Sequence, residues 1–234
     1  MLRDEKFKEF KIVFILFYTS LLYHIATIMK AKDLPFPRHI SFSGTGSKIL
    51  QILTTDNKTL QEFTKLIFEK VYKLSYNIPL EIIQNPTNPK EVTCKGGIKV
   101  PERQSYSDIC LIKTTLLGTD NSTFISDKLE ITYDKIPEVE LKKLENEIIK
   151  LIDFTFELNK TFSFNNNFGA SATGLDEIKK LCLQDIPKYI EDGLKLKRKE
   201  IELYNGDQNI EETLFFYPLV GIINSLVRNI KSNE

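Results

Sequence analysis

The chain has 234 residues, 41% hydrophobic and 27% charged, with a formal net charge of zero. That describes an ordinary globular protein of one large domain or two small ones. The charge is uneven: residues 1–100 carry six more Lys/Arg than Asp/Glu, and residues 101–234 carry six fewer. A basic, nucleotide- or partner-facing half joined to an acidic half is one reading; solvated helix faces are the other. No basic cluster is dense enough for nucleic acid. Cys94, Cys110 and Cys182 are odd in number and far apart. That fits a reducing, cytoplasmic setting and gives no zinc spacing. The three Asn-x-Ser/Thr triplets, at Asn57, Asn121 and Asn159, read as chance in a Lys- and Asn-rich chain.

The periodicity predicts one helix over 5–31. Within it residues 12–29 are uncharged and strongly apolar, close to a membrane span in length. Tyr18, Thr19, Ser20, Tyr23, His24 and Thr27 make it too polar for a comfortable span, so a buried helix is expected and no membrane partner. Pro35 and Pro37 end the helix. A strand is predicted over 40–43, a short helix from 47 to 53, and a helix over 57–74 capped by Asp56 or Asn57. A second strand follows over 80–83. Asn88-Pro89 then opens a helix that runs through Gly96-Gly97. Beyond residue 100 the pattern predicts strands over 109–117 and 129–133, joined as a hairpin. A long amphipathic helix is expected over 138–159. A polar, Asn-rich loop spans 162–173, with Phe162, Phe164 and Phe168 either exposed as a partner patch or buried as anchors. A helix over 175–203 is interrupted at Pro187, and a last helix over 211–231 is bent or restarted at Pro218. The fold class expected from this order is α/β, with a domain boundary near residue 100.

The segment with the most chemistry is Arg38-His39-Ile40-Ser41-Phe42-Ser43-Gly44-Thr45-Gly46-Ser47-Lys48-Ile49-Leu50. It reads as a strand, a glycine turn and the first turn of a helix. Glycines let a backbone approach a ligand, and a helix N-terminus offers N–H groups to an anion. The order Gly-Ser-Lys is not that of a P-loop. Ile49 stands where the dinucleotide fingerprint needs its third glycine. The alternative is a structural glycine loop with no ligand.

Residues 7–100, less than half of the chain, resemble the C-terminal half of the actin/Hsp70/sugar-kinase ATPase superfamily. The landmarks are a long helix before a strand that ends in the turn Ser43-Gly44-Thr45-Gly46, then a later strand leading into Asn88-Pro89 and Gly96-Gly97. The resemblance implies an actin-like ATPase (ribonuclease H-like) half-domain over 1–100, extended by helices and a β-hairpin over 101–234. It implies ATP or ADP with Mg as cofactor. Gly44, Thr45 and Gly46 would lie under the ribose and α-phosphate, with Ser47 capping the following helix. Lys48 would stand where chaperone relatives place an arginine against the adenine, and Asn88–Glu91 would wall the pocket. Where the family shows Gly-Gly, Thr45 separates the glycines here.

The catalytic parts of such a phosphoryl-transfer site sit in Asp-x-Gly-x-Thr hairpins of the other half. This chain has none; Asp127 and Asp176 do not sit beside a glycine hairpin. The expectation is therefore a nucleotide-binding half, incomplete for catalysis, with a missing N-terminal half or another protein as partner. A non-catalytic interaction module that keeps the half-fold is the alternative. His24 is expected as a core residue and His39 as an exposed one; neither belongs to a nucleophilic triad. The acidic pairs and the basic run 195–199 are expected on solvated helix faces.

Overall fold

The computed structural model describes residues 2–74, 78–84, 117, 131–204, 210 and 212–232. The first helix, α1, covers Leu2–Ala31. It carries no Gly or Pro, and it stops where Asp33 turns left-handed at φ 52°. The Leu34 N–H then donates to Met29 O (2.9 Å) and the Asp33 N–H to Lys30 O (3.0 Å). This is a Schellman ending with Asp in place of the usual glycine.

Strand β1 is His39–Phe42. A five-residue 3-10 helix, Thr45–Ile49, and the single turn α2, Leu50–Leu53, follow. Helix α3 is Asn57–Tyr72; the Asp56 carboxylate accepts the N–H groups of Lys58 and Thr59, so Asp56 is the cap. Its amphipathic face buries Leu60, Phe63, Ile67 and Phe68. Strand β2, Glu81–Gln84, pairs parallel with β1, Ile40 opposite Ile82 and Phe42 opposite Gln84.

The C-terminal elements are helical. They are α4 (Glu138–Phe162), α5 (Phe164–Phe168), α6 (Leu175–Leu183), α7 (Ile186–Tyr204) and α8 (Phe216–Ser232). Pro187 and Pro218 both lie in first turns, where a missing N–H costs no helix bond. The break in 175–203 is therefore at Gln184-Asp185, where Asp185 accepts the Lys188 N–H (3.2 Å).

Among the described residues two hydrophobic clusters form the core, and α1 contributes to both. Val13 and Leu16 join Leu144, Ile148, Ile152, Ile190, Phe215 and Leu226. Ile12, Ile15, Tyr18 and Leu22 join Leu60, Phe63, Ile67, Ile82, Phe164 and Phe168. Each cluster draws residues from both sides of residue 100. By length and composition Glu5–Ala31 could cross a membrane. Here Ile15, Leu16 and Leu22 are at most 1% exposed against neighbouring helices.

The α/β expectation is corrected. Helix takes 73% of the described residues and strand 5%, with one two-stranded parallel sheet, which is not an actin-like ATPase half-domain. The physical reason lies in α1. A helix of an α/β layer covers a sheet, but α1 packs on α3, α4 and α8. Both strands are four residues long, and only Ile82 among them is fully buried. They offer too little apolar face to support covering helices. Of the expected hairpin, most lies outside the described residues; within 131–133 the structure has only a single bridge, at Thr132. The helix expected from Asn88 through Gly97 also lies outside them.

Candidate functional site: the glycine turn and the cavity behind it

The turn begins where β1 ends. Gly44 sits at φ 80°, ψ 166°, a conformation that L side chains rarely adopt. Thr45 opens the 3-10 helix. Gly46 has no such demand on its backbone, and a Cβ there would meet nothing within 4 Å. The Ser47 N–H and hydroxyl both donate to the Gly44 carbonyl, at 3.1 and 2.8 Å. Lys48 is exposed.

The turn thus closes on itself. The helix that was to offer N–H groups to a phosphate is one short 3-10 segment, and the Ser47 amide is already satisfied within it. Asn88–Glu91, the expected wall, lies outside the described residues.

Behind the turn is a half-open cavity of about 360 Å3. Phe14, Phe17 and Tyr18 of α1, Phe42 at the end of β1, and Gly46 and Ser47 of the turn all line it. Its volume falls within the ~300–1,000 Å3 common for small-molecule sites. Its surface is almost entirely apolar. Phe17 and Ile49 are 41% and 38% exposed at its rim. Tyr18 is fixed from below. Thr64 donates its hydroxyl to Leu60 O (2.7 Å), so the Tyr18 phenol donates to Thr64 Oγ1 (2.5 Å). Burial pushes that phenol well above its ordinary range.

Of the five turn residues expected to touch a ligand, Gly46 and Ser47 line the cavity; Lys48 is exposed and is not part of its lining. Gly44 shapes the turn. The sequence reading missed Phe14, Phe17, Tyr18 and Phe42. Their signal, aromatics three and four apart on one helix face followed by one at a strand end, was visible but indistinguishable from core packing.

Other groups are committed elsewhere. His24 is 4% exposed, stacked on Phe215 (4.2 Å, 18°) and edge-on to Phe216 (5.0 Å). Its Nε2 is buried without a hydrogen-bond partner, and burial pushes its pKa down to about 4. This is a neutral core imidazole. Burial pushes the Cys182 thiol up to about 12, which keeps it unreactive. Phe164 and Phe168 are 0% and 2% exposed, and Phe162 packs on Phe63 at 4.9 Å. The Asn-rich segment is thus an anchor; it folds as α5, with Ser163 accepting the Asn166 N–H.

A second cavity of about 350 Å3 lies between α4 and α7. Its two cations are both paired: Arg198 meets Glu191 (2.8 Å) and Asp134 (3.1 Å), and Lys142 meets Glu138 (2.9 Å), while Glu145 adds a further carboxylate to the lining. Nearby, Tyr217 donates to Glu212 (2.5 Å) and Lys197 pairs with it (2.9 Å). Burial alone would raise the Glu212 carboxyl, but these hydrogen bonds outweigh it and leave its pKa lowered. Among the described residues no group of three or more His, Cys, Asp or Glu is placed to hold a metal ion. No family model, curated protein or solved structure matches the chain.

Proposed function

We propose that the chain is a nucleotide-binding module, incomplete for catalysis by itself, that takes the ring of ATP or ADP in the cavity behind Gly46 and Ser47. The supporting observation is the coincidence of two features. Residues of the turn singled out by its glycines line an apolar cavity, and aromatic side chains of α1 and β1 line the same cavity. The cavity opens at the carboxyl end of β1 in a parallel β1–α3–β2 unit. Ligands of parallel-sheet proteins commonly bind at that end of the strands.

On this reading the phosphates leave the cavity past Lys48. Any cradle for them, and the Mg ion they carry, comes from a partner or a missing half of the site, because the Ser47 amide is already donated to the Gly44 carbonyl. No ATPase fold is implied for the described residues.

Thermal unfolding of the full chain with Mg-ATP and Mg-ADP tests the reading, with Gly46→Val alongside. The variant places a branched side chain on the cavity wall where a Cβ has open space. The expected result is a nucleotide-dependent rise in the parent's midpoint that is absent in the variant. No rise in the parent overturns the reading and leaves a non-catalytic interaction module.

A further inference from the structure

We infer that the cavity grips a nucleobase by its faces and does not read its edges, so that adenine and guanine nucleotides are held alike. This deepens the nucleotide reading and depends on it. Selective base recognition needs donors and acceptors fixed in position, because only an unpaired buried polar group penalises the wrong base strongly. Among the described residues, none of the polar side chains that line the cavity is such a fixed group.

The Tyr18 phenol has one proton, and that proton goes to Thr64 Oγ1, since the Thr64 hydroxyl is itself donated to Leu60 O. Ser47 gives both its hydroxyl and its N–H to the Gly44 carbonyl. Its oxygen can still accept, weakly and from either base. Ser43 is exposed at the mouth, and a hydroxyl that rotates freely can donate or accept. It therefore favours neither the amino edge of adenine nor the keto edge of guanine.

What remains is aromatic surface. Phe14, Phe17, Tyr18 and Phe42 bring four rings to a cavity that also has Leu50 and Leu53 in its lining. Stacking on such rings tolerates any base because every base has a π-face. The polar edge of the ring then points out through the open side of the cavity, where water satisfies it. That orientation also avoids the cost of burying base nitrogens against hydrocarbon.

Isothermal titration of the full chain with Mg-ATP, Mg-GTP and inorganic triphosphate tests this. Phe17→Ala serves as the second protein, since Phe17 is already 41% exposed and its loss does not threaten the core. The expected result is dissociation constants for ATP and GTP within about tenfold of each other. Phe17→Ala weakens both in parallel by about tenfold, and triphosphate does not bind. A preference beyond about tenfold for either nucleotide overturns the inference while leaving the nucleotide site in place. Triphosphate binding as tightly as ATP overturns it too, because the ring would contribute nothing. If neither nucleotide binds, the reading of the site as a nucleotide site falls, and this inference falls with it.

Discussion

Two places where helices pass other backbone differ in how closely they are packed. Where α7 crosses α8, a Cβ on Gly193 would lie 2.1 Å from the Tyr217 carbonyl oxygen, and one on Gly221 would lie 2.4 Å from the Tyr189 carbonyl oxygen. The backbones touch, and each glycine is there because a methyl group does not fit. Where α1 passes the 3-10 helix, a Cβ on Gly46 would meet nothing within 4 Å, and a cavity of about 360 Å3 stays open. The same residue type thus marks a closed seam in one region and an open site in the other. A ligand entering the open one displaces water, whereas at the seam it would have to displace protein.

The largest effect should come from the seam. Gly193→Ala and Gly221→Ala each force two helical backbones apart, and each should lower the unfolding free energy by about 3 kcal/mol or more in denaturant titration. A loss under ~1 kcal/mol would mean that the seam can open, and the contrast would disappear.

The next effect tests how tightly α1 is held against the start of α8. His24 has its folded pKa lowered to about 4, below the unfolded value near 6.5. Between those values the unfolded chain binds a proton that the folded chain excludes, so stability falls as pH drops from 6.5 toward 4. The stability lost across that window is about 3 kcal/mol. His24→Phe keeps the stack on Phe215 and removes the proton site, so its stability should be flatter over that range. An unchanged pH profile in the variant would show that His24 is not the titrating group.

The smallest effect separates the two glycines of the turn. Gly44→Ala should cost about 2 kcal/mol, because φ 80° with ψ 166° strains any side chain. Gly46→Ala should change stability by less than about 1 kcal/mol, and in either direction. Equal costs would mean that the turn is not as open at Gly46 as its surroundings indicate.

Much of the local structure was legible in the sequence. The first helix, the proline break after it, a cap at Asp56 or Asn57, both short strands and the long helix from Glu138 follow from periodicity and end signals carried by neighbouring residues. The segment from Phe162 to Thr173 was less legible. Its three asparagines suggest a loop, yet Phe164 and Phe168 lie four apart, and burying both against Phe63 stabilises a short helix that composition alone disfavours. The glycine turn stood out in the sequence. Its aromatic counterparts did not, because nothing local tells a phenylalanine that fills a core from one that lines a cavity.

By itself the sequence determined the first helix and its end, the start of α3 and the long helix from Glu138, since capping, proline geometry and hydrophobic period act within a few residues. Only the tertiary structure decided what those elements cover. It laid α1 on three helices instead of on a sheet. It also made Gly193 and Gly221 contacts and left Gly46 a wall. Those outcomes depend on which surfaces meet across long stretches of chain, and burial depends on the whole set of partners at once.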